Sequence, residues 1–268
     1  MKNKSEIFNL CFYLICFLII LIILVKTTVA VTPFGATLDP ISNDTADVGI
    51  AGSHAAIAGN VTELNIQGFT VTQSWQGYYG NVSGTIFLAD GSDSVMYNWS
   101  QTSPEGEVYA STNDSVLWTN IECFNFSSDG SYADDASQRG NTSFYGTNLT
   151  QLETGFNIEE DDVDGVNETF TLFGAGTHNE FYVNNLFFEE GECRSTRIFS
   201  NVGYGEDNKF EEVLLYDPDT RSVVFTSLLN DNEFGFNNVT HDFEMMVLED
   251  GHGEDISSMT YYFYVEIQ

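Results

Sequence analysis

The stretch Val213-Leu-Leu-Tyr-Asp-Pro-Asp-Thr-Arg-Ser-Val-Val-Phe-Thr226 predicts a β-hairpin. Two short runs of β-branched and large apolar residues, Val213–Tyr216 and Val223–Thr226, flank a polar segment that contains Pro218. Runs of this composition are typical of strands, and the proline ring presets the backbone for a turn between them. We therefore expect two antiparallel strands in this part of the chain.

Short runs of the same kind recur from residue 59 onward, separated by clusters of Gly, Asn, Asp and Ser. No stretch beyond residue 60 repeats apolar residues with a helical period over three or more turns. Many short strands at intervals of roughly 8–12 residues indicate an all-β fold, an antiparallel β-sandwich of the Ig-like or jelly-roll-like kind. Besides the hairpin, the predicted strands include Phe69–Gln73, Thr85–Leu88, Val95–Trp99, Glu107–Ala110, Val116–Thr119, Thr169–Phe173, Phe181–Val183 and Thr260–Ile267.

The β-sandwich is expected to span residues 59–268, either as one domain, which we favour, or as two smaller ones. Within it, the Gly-, Ser-, Asn- and Asp-rich segment around 127–168 predicts a decorated acidic loop. Residues 31–58 are small and turn-rich, which predicts a flexible spacer ahead of the folded part.

The N-terminus contains an export signal. Lys2 and Lys4 precede an almost uninterrupted apolar run, Ile7–Val25, that would form a hydrophobic helix of about 28 Å, close to the thickness of a bilayer's hydrocarbon core. Residues 1–30 are therefore either a signal peptide cleaved after Ala30 or an uncleaved signal anchor that holds the protein in the membrane. Both alternatives export the rest of the chain to the extracellular side or the cell surface.

The charge excludes two classes of partner. Eight Lys and Arg residues stand against 40 Asp and Glu, for a formal net charge of −32. Nucleic-acid binding and adsorption to anionic membrane surfaces both need clustered cations, which this chain lacks. We expect the acidic side chains to lie on the surface of the folded protein, where salt or Ca²⁺ outside the cell screens their repulsion.

The cysteines agree with export. Cys11 and Cys16 lie in the apolar run, which leaves Cys123 and Cys193 as the only pair in the exported part. An even pair in an oxidising compartment predicts a disulfide, and the alternative is two buried free thiols.

The part of the chain predicted to be exported, residues 31–268, contains ten Asn-x-Ser/Thr triplets. Composition alone would give about four, so the excess predicts N-linked glycosylation on surface turns. Asn98 and Asn125 are set aside because aromatic residues flank them. The predicted glycosylation sites are Asn43, Asn60, Asn81, Asn113, Asn141, Asn148, Asn167 and Asn238.

The search for chemistry-bearing motifs gives two candidates and no catalytic residues. Glu160, Asp162 and Asp164 alternate ahead of a glycine, which resembles the opening of a calcium loop. Ca²⁺ is thus the one cofactor suggested, and none is required. The aromatic residues Trp75, Tyr78 and Tyr79 suggest a carbohydrate-binding platform, although core packing of a half-buried sheet is the favoured explanation for them.

Four segments resemble an uncharacterised group of archaeal exported cell-surface proteins, and the likeness covers most of residues 59–268. The segments are Trp75-Gln-Gly-Tyr-Tyr-Gly-Asn-Val-Ser-Gly84, Gly106-Glu-Val-Tyr-Ala-Ser111, Val116-Leu-Trp-Thr-Asn-Ile-Glu-Cys123 and Thr260-Tyr-Tyr-Phe-Tyr-Val-Glu266. The resemblance implies an archaeal envelope setting and assigns no activity or residue roles.

Together these features predict an exported, N-glycosylated, acidic cell-surface protein without enzymatic activity. We expect a structural or contact role in an envelope or filament, with other cell-surface proteins, glycans or further copies of itself as partners. A carbohydrate-binding or adhesive module is the first alternative. A secreted glycoside hydrolase is the second, because its carboxylate pair could not be distinguished among so many acidic residues.

Overall fold

The computed structural model describes residues 32–47, 49–101, 105–126, 148–251 and 258–268, and Thr32–Gln268 form one compact unit. Within these described ranges, no helix is long and apolar enough to cross a membrane. The predicted export segment lies outside them.

Fifteen strands and two short helices are found in the described residues. The strands are β1 (Phe34–Gly35), β2 (Trp75–Gly80), β3 (Gly84–Ala89), β4 (Val95–Gln101), β5 (Gly106–Ser111), β6 (Glu122–Cys123), β7 (Phe181–Val183), β8 (Leu186–Phe188), β9 (Ser195–Arg197), β10 (Glu211–Asp217), β11 (Ser222–Leu228), β12 (Glu233–Phe234), β13 (Thr240–His241), β14 (Phe243–Leu248) and β15 (Tyr262–Ile267). The helices are α1 (Leu149–Gly155) and α2 (Val166–Thr169).

The largest sheet is antiparallel and has the strand order β1-β15-β5-β11-β10-β6, with β9 also paired to β10. Its centre is the predicted hairpin, in which β10 and β11 pair from Glu212 opposite Ser227 to Asp217 opposite Ser222. Four two-stranded sheets complete the fold, namely β2–β14, β3–β4, β7–β8 and β12–β13. The all-β, antiparallel fold class is therefore confirmed.

The central strands of the large sheet are buried on both faces. On one face, Leu214 and Tyr216 of β10 belong to a core that also contains Met245 of β14 and Leu152 of α1. On the other face, Val213 and Leu215 pack into a second core with residues of β7 and β8. Apolar cover on both sides explains why Val213–Tyr216 of β10 and residues 223–225 of β11 are continuously apolar instead of alternating.

Four sequence predictions differ from the structure. Thr169–Phe173 is not a strand, because Thr169 is the last residue of α2 and Leu172 forms only an isolated bridge with Ser195. Phe69–Gln73 is not a strand, and the strand on this part of the chain begins at Trp75. Val116–Thr119 is a loop whose Val116 and Trp118 side chains are buried in the second core. Phe34 and Gly35, inside the predicted spacer, pair with β15 in the main sheet. In each case, what decides strand formation is whether a neighbouring strand is available, which a local pattern does not encode.

Candidate functional site

The hairpin formed by β3 and β4 exposes an unusual amount of apolar surface. Its strands pair from Gly84 opposite Gln101 to Ala89 opposite Val95. Large apolar side chains on both of its faces are 46–82% exposed, whereas a strand in a sandwich normally buries one face. These side chains are Ile86, Phe87, Leu88, Val95, Met96, Tyr97 and Trp99, which we call the apolar hairpin surface.

The hairpin is closed at its tip and attached at its base. At the tip, Asp90 accepts hydrogen bonds from the main-chain N–H groups of Ser92 and Ser94, both at 2.9 Å, and these bonds lower the pKa of its carboxyl group. At the base, the Gln101 side-chain amide donates to the main-chain oxygen of Gln268 at 2.9 Å. Gly84 lies so close to Ile267 that a Cβ atom there would collide with its side chain. The hairpin is therefore a fixed projection of the body.

A second exposed apolar element precedes β2. Residues 37–71, which we call the arm, contain no helix or strand in their described positions, 37–47 and 49–71. The arm turns at Ile57–Asn60, where the Asn60 N–H donates to the Ile57 main-chain oxygen at 3.2 Å. Its large side chains are 51–102% exposed, and they are Leu38, Ile41, Ile50, Ile57, Val61, Leu64, Ile66, Phe69 and Val71.

Both ends of the arm are tied to the body. The N–H of Ala36 donates to the main-chain oxygen of Phe263 at 2.8 Å. At the other end, the Thr72 hydroxyl donates to the Asp164 carboxylate at 2.5 Å. The arm is thus a loop that leaves and re-enters one compact unit.

The three aromatic residues proposed as a carbohydrate platform do not form a flat exposed strip. Trp75 packs against Phe170 and Phe225 in the first core, with ring centroids 6.2 and 6.3 Å away. The ring centroids of Tyr78 and Phe263 lie 5.0 Å apart, and burial raises the pKa of Tyr78. Tyr79, which is 45% exposed, instead contacts Phe236 and His241, with ring centroids 5.1 and 4.7 Å away.

Trp75 and Tyr78 do line a cavity of about 470 Å³. Tyr261 lies on its wall, and its hydroxyl donates to the main-chain oxygen of Leu248 at 2.7 Å. Polar side chains of Gln76 and Glu249 also border the cavity. Aromatic walls with a few polar groups form the type of pocket that accepts small polar ligands.

Two of the three predicted calcium ligands, Asp162 and Asp164, are engaged in protein contacts. Asp162 accepts a hydrogen bond from the Glu159 N–H at 2.7 Å. Asp164 accepts from the hydroxyls of Thr72 and Ser74, so it anchors the end of the arm. Throughout the described residues, no group of three or more His, Cys, Asp or Glu is arranged to hold a metal ion. Glu160, Asp162 and Asp164 therefore do not form such a group.

The acidity of the chain is not confined to its surface, contrary to the expectation from sequence. Each of eight acidic side chains is at most 8% exposed. Most of them accept hydrogen bonds from main-chain N–H groups in loops, as Asp242 does from Val82 and Asn232 at 2.8 and 3.0 Å. These buried carboxylates provide hydrogen-bond acceptors for main-chain N–H groups of loops, which no helix or sheet would otherwise pair. The eight are Glu107, Glu153, Glu211, Glu212, Asp217, Asp242, Glu244 and Glu266.

Two of these acids form a facing pair. Glu107 on β5 is directly opposite Glu266 on β15, and the Tyr109 hydroxyl lies between them, 3.4 and 3.2 Å from their carboxyl oxygens. The two glutamates are 3% and 1% exposed. Carboxyl groups buried this deeply are out of reach of a polysaccharide, so the pair does not act as the flanking carboxylates of a glycosidase. Sequence reasoning missed it because alternation along β5 places Glu107 on a face that reads as solvent-exposed.

The predicted disulfide is present. Cys123 of β6 and Cys193 are bonded with a Cα–Cα distance of 5.3 Å, and both are buried in the second core.

The predicted glycosylation sites fall in different environments. Asn43, Asn60, Asn81, Asn167 and Asn238 are exposed. Asn113 is half-buried, and its side-chain amide donates to the Ser222 hydroxyl at 2.9 Å. Asn148 is 8% exposed and caps α1 by accepting a hydrogen bond from the Gln151 N–H at 2.9 Å. Asn141 lies outside the described residues. Of the two triplets set aside, Asn98 is exposed on β4 and Asn125 is fully buried.

Comparison with known proteins gives no matching family model and no match among curated proteins or solved structures.

Proposed function

We propose that this chain is an exported, N-glycosylated cell-surface protein with a structural or contact role, as a component of an envelope or filament. The observation that carries the proposal is the apolar hairpin surface. Seven large side chains on the two faces of one projecting element, each about half exposed or more, present more apolar surface than soluble monomers usually leave open. A surface of this kind favours contact with another macromolecule over catalysis.

Three features support export. The Cys123–Cys193 disulfide is of a kind that persists in oxidising compartments. The apolar run Ile7–Val25 has the composition of a signal peptide or anchor. Five of the predicted glycosylation asparagines are exposed, as an oligosaccharide acceptor must be. The resemblance to archaeal cell-surface proteins points to the same setting.

Protease digestion of intact cells tests the location. Cells that produce the full chain are treated with a protease that does not enter them, and the chain is followed with an antibody to its folded part. We expect the folded part to be degraded on intact cells while a cytoplasmic protein survives. Protection on intact cells together with degradation after lysis would refute export.

A carbohydrate-binding role is the second candidate, and the cavity beside Trp75 and Tyr78 favours it. Calorimetric titration with oligosaccharides of the cell envelope tests this role. Gln76→Ala and Glu249→Gln, which change polar groups on the cavity wall, should weaken binding. Tyr79→Ala, which is outside the cavity lining, is the matched control and should leave binding unchanged. Absence of binding by the unmodified chain would eliminate this candidate.

A further inference from the structure

We propose that the partner of the apolar hairpin surface is a second copy of this chain, whose arm adds to the β3–β4 hairpin as an extra strand through residues 61–71. The inference rests on the proposed contact role and deepens it by naming the partner. It would give a head-to-tail assembly in which every copy donates one arm and accepts another.

The main-chain N–H and C=O groups of the arm are available to pair with another strand. In its described positions, the turn between Ile57 and Asn60 contains the only hydrogen bond between main-chain groups. Extended backbone without such bonds is the substrate for strand addition, where N–H and C=O groups pair with a sheet edge.

The return limb of the arm also has the side-chain pattern of a strand. Leu64-Asn-Ile66-Gln and Phe69-Thr-Val71-Thr each alternate apolar and polar residues, with Gly68 between the two runs. This alternation is typical of a strand with one face buried. It explains why the sequence predicts a strand at Phe69–Gln73, although no strand in the described part of the chain pairs with it.

The hairpin has the complementary properties. Its two strands pair only with each other in the described structure, so each has one edge free. Ile86, Leu88, Tyr97 and Trp99 are cross-strand partners on one face of the hairpin, and each is about half exposed. Burying what is exposed of these four side chains contributes a few hundred Å², about half of the roughly 800 Å² that each partner buries in a stable interface of standard size, and the backbone pairing of an added strand contributes further area.

Charge favours these two elements over the rest of the surface. The chain has a net charge of −32, so most pairs of surfaces on two copies repel each other. Residues 58–73 contain one acidic residue, Glu63, and residues 84–101 contain two, Asp90 and Asp93, both at the hairpin tip. The arm and the strands of the hairpin are thus segments where two copies meet with little repulsion.

The arm does not cover the hairpin of its own copy. Ile66 on the arm is 88% exposed and Met96 on the hairpin is 82% exposed, although contact between the two elements would bury both. Because each copy has one unfilled hairpin and one unpaired arm, the contact joins different surfaces and repeats from copy to copy.

Cysteine cross-linking between two full-length variants tests the contact. One variant carries Ile66→Cys on the arm and the other carries Phe87→Cys on the hairpin. Mixed under mild oxidation, they should give a covalent dimer that reductant removes. The matched control replaces the hairpin variant with Glu180→Cys, which is exposed outside both elements. Native cysteines are common to both mixtures, so any background is the same.

We expect several-fold more dimer from the 66/87 mixture than from the control. Light scattering gives an independent measurement. Ile66→Ser should lower the average mass of the assembly towards the monomer, whereas the adjacent Gln67→Ser should not. Equal dimer yields in the two mixtures would overturn the proposal, as would a monomeric unmodified chain at all concentrations. A cross-link within single copies of an Ile66→Cys/Phe87→Cys double variant would overturn it too.

The failure of this inference is distinguishable from failure of the proposed function. If the cross-link is absent but the folded part is degraded on intact cells, only the identity of the partner is wrong. If the cross-link forms but the chain is protected on intact cells, self-assembly stands and the cell-surface role falls.

Discussion

Glu107 and Glu266 face each other on neighbouring strands, and their buried carboxyl groups share the hydroxyl of Tyr109. The Asn184 N–H also donates to Glu266 at 2.9 Å, and Tyr182 and the Gln268 side chain hydrogen-bond to Glu107. None of the ion pairs among the described residues includes either glutamate. Like charges directly opposite each other destabilise a sheet, so this pair favours binding a proton.

The pair makes stability fall as the pH rises. Burial, and then repulsion from Glu266, raise the pKa of Glu107 well above its usual range. Burial raises the pKa of Glu266 to about 7, against an ordinary value of 4.5. The folded state therefore binds more protons than the unfolded chain between about pH 4.5 and 7. The folded protein loses stability across that interval, by about 3 kcal/mol for a shift of the size shown by Glu266.

We expect Glu107→Gln to remove the part of this penalty that Glu107 contributes, while Glu266, whose pKa is raised by its own burial, keeps its share. Thermal unfolding followed by circular dichroism should give a higher Tm for the variant than for the unmodified chain at pH 8. The difference should shrink towards pH 5, where the carboxyl pair is protonated. Glu180→Gln, at an exposed position, is the control and should follow the unmodified chain at every pH. An unchanged pH slope for Glu107→Gln would show that the pair is not responsible.

Glu244 should contribute to the same pH dependence from a different part of the fold. It is 1% exposed, burial raises its pKa to about 7, and one carboxyl oxygen accepts from the Phe236 N–H at 3.1 Å. Its other oxygen, Oε2, has no hydrogen-bond partner among the described residues. We expect Glu244→Gln to raise the Tm at pH 8 with little change at pH 5, because the amide needs no deprotonation. A lower Tm at both pH values would contradict this.

Asp217 should be the most sensitive position in the turn that joins β10 and β11. Its buried carboxylate accepts from the N–H groups of Leu117 at 2.7 Å and Asp219 at 3.0 Å, and from the Thr220 hydroxyl. Asp217→Ala leaves these donors unpaired, and each buried unpaired donor costs about 1–3 kcal/mol. Denaturant titration should therefore show a loss of at least about 2 kcal/mol in the free energy of unfolding.

Asp219→Ala is the matched control, in the same turn. Asp219 is exposed, and its carboxylate accepts from the Asn120 side-chain amide. Exposed contacts contribute little, so we expect a change of less than about 1 kcal/mol. Equal losses in the two variants would mean that the turn sequence matters and the buried hydrogen bonds do not.

The contrast between Asp217 and Trp75 shows what the sequence could predict. The turn at Asp217 follows from neighbouring residues, so the hairpin was predicted from its own sequence with its strands in place. The environment of Trp75 depends on Phe170 and Phe225, which are distant along the chain, so the sequence alone favours core packing without identifying its partners and leaves sugar binding as an alternative. Glu107 was missed because pairing with Glu266 requires the register of β5 and β15.

The disulfide should be a major contribution to stability. Cys123 and Cys193 are separated by 70 residues, and closing a loop of that length stabilises a protein by about 4 kcal/mol through the entropy of the unfolded chain. A Cys123→Ala/Cys193→Ala variant should lose about this amount in denaturant titration. Reductant should lower the unmodified chain to the level of the variant and leave the variant unchanged. A variant as stable as the oxidised chain would contradict the prediction.

Glycan occupancy should follow the exposure of each asparagine. An oligosaccharide on Asn60 or Asn238 extends into solvent, because both side chains are exposed. On Asn148 it would have to leave from a side chain that is 8% exposed and caps α1, and on Asn125 from a fully buried one. Mass spectrometry of glycopeptides from the native source should find high occupancy at Asn60 and Asn238, and little at Asn148 or Asn125.

Asn98 is the informative case, since it is exposed on the apolar hairpin and a glycan there would obstruct the incoming arm. We therefore expect Asn98 to be unmodified in assembled protein. Full occupancy there would contradict the proposed contact between the arm of one copy and the hairpin of the next.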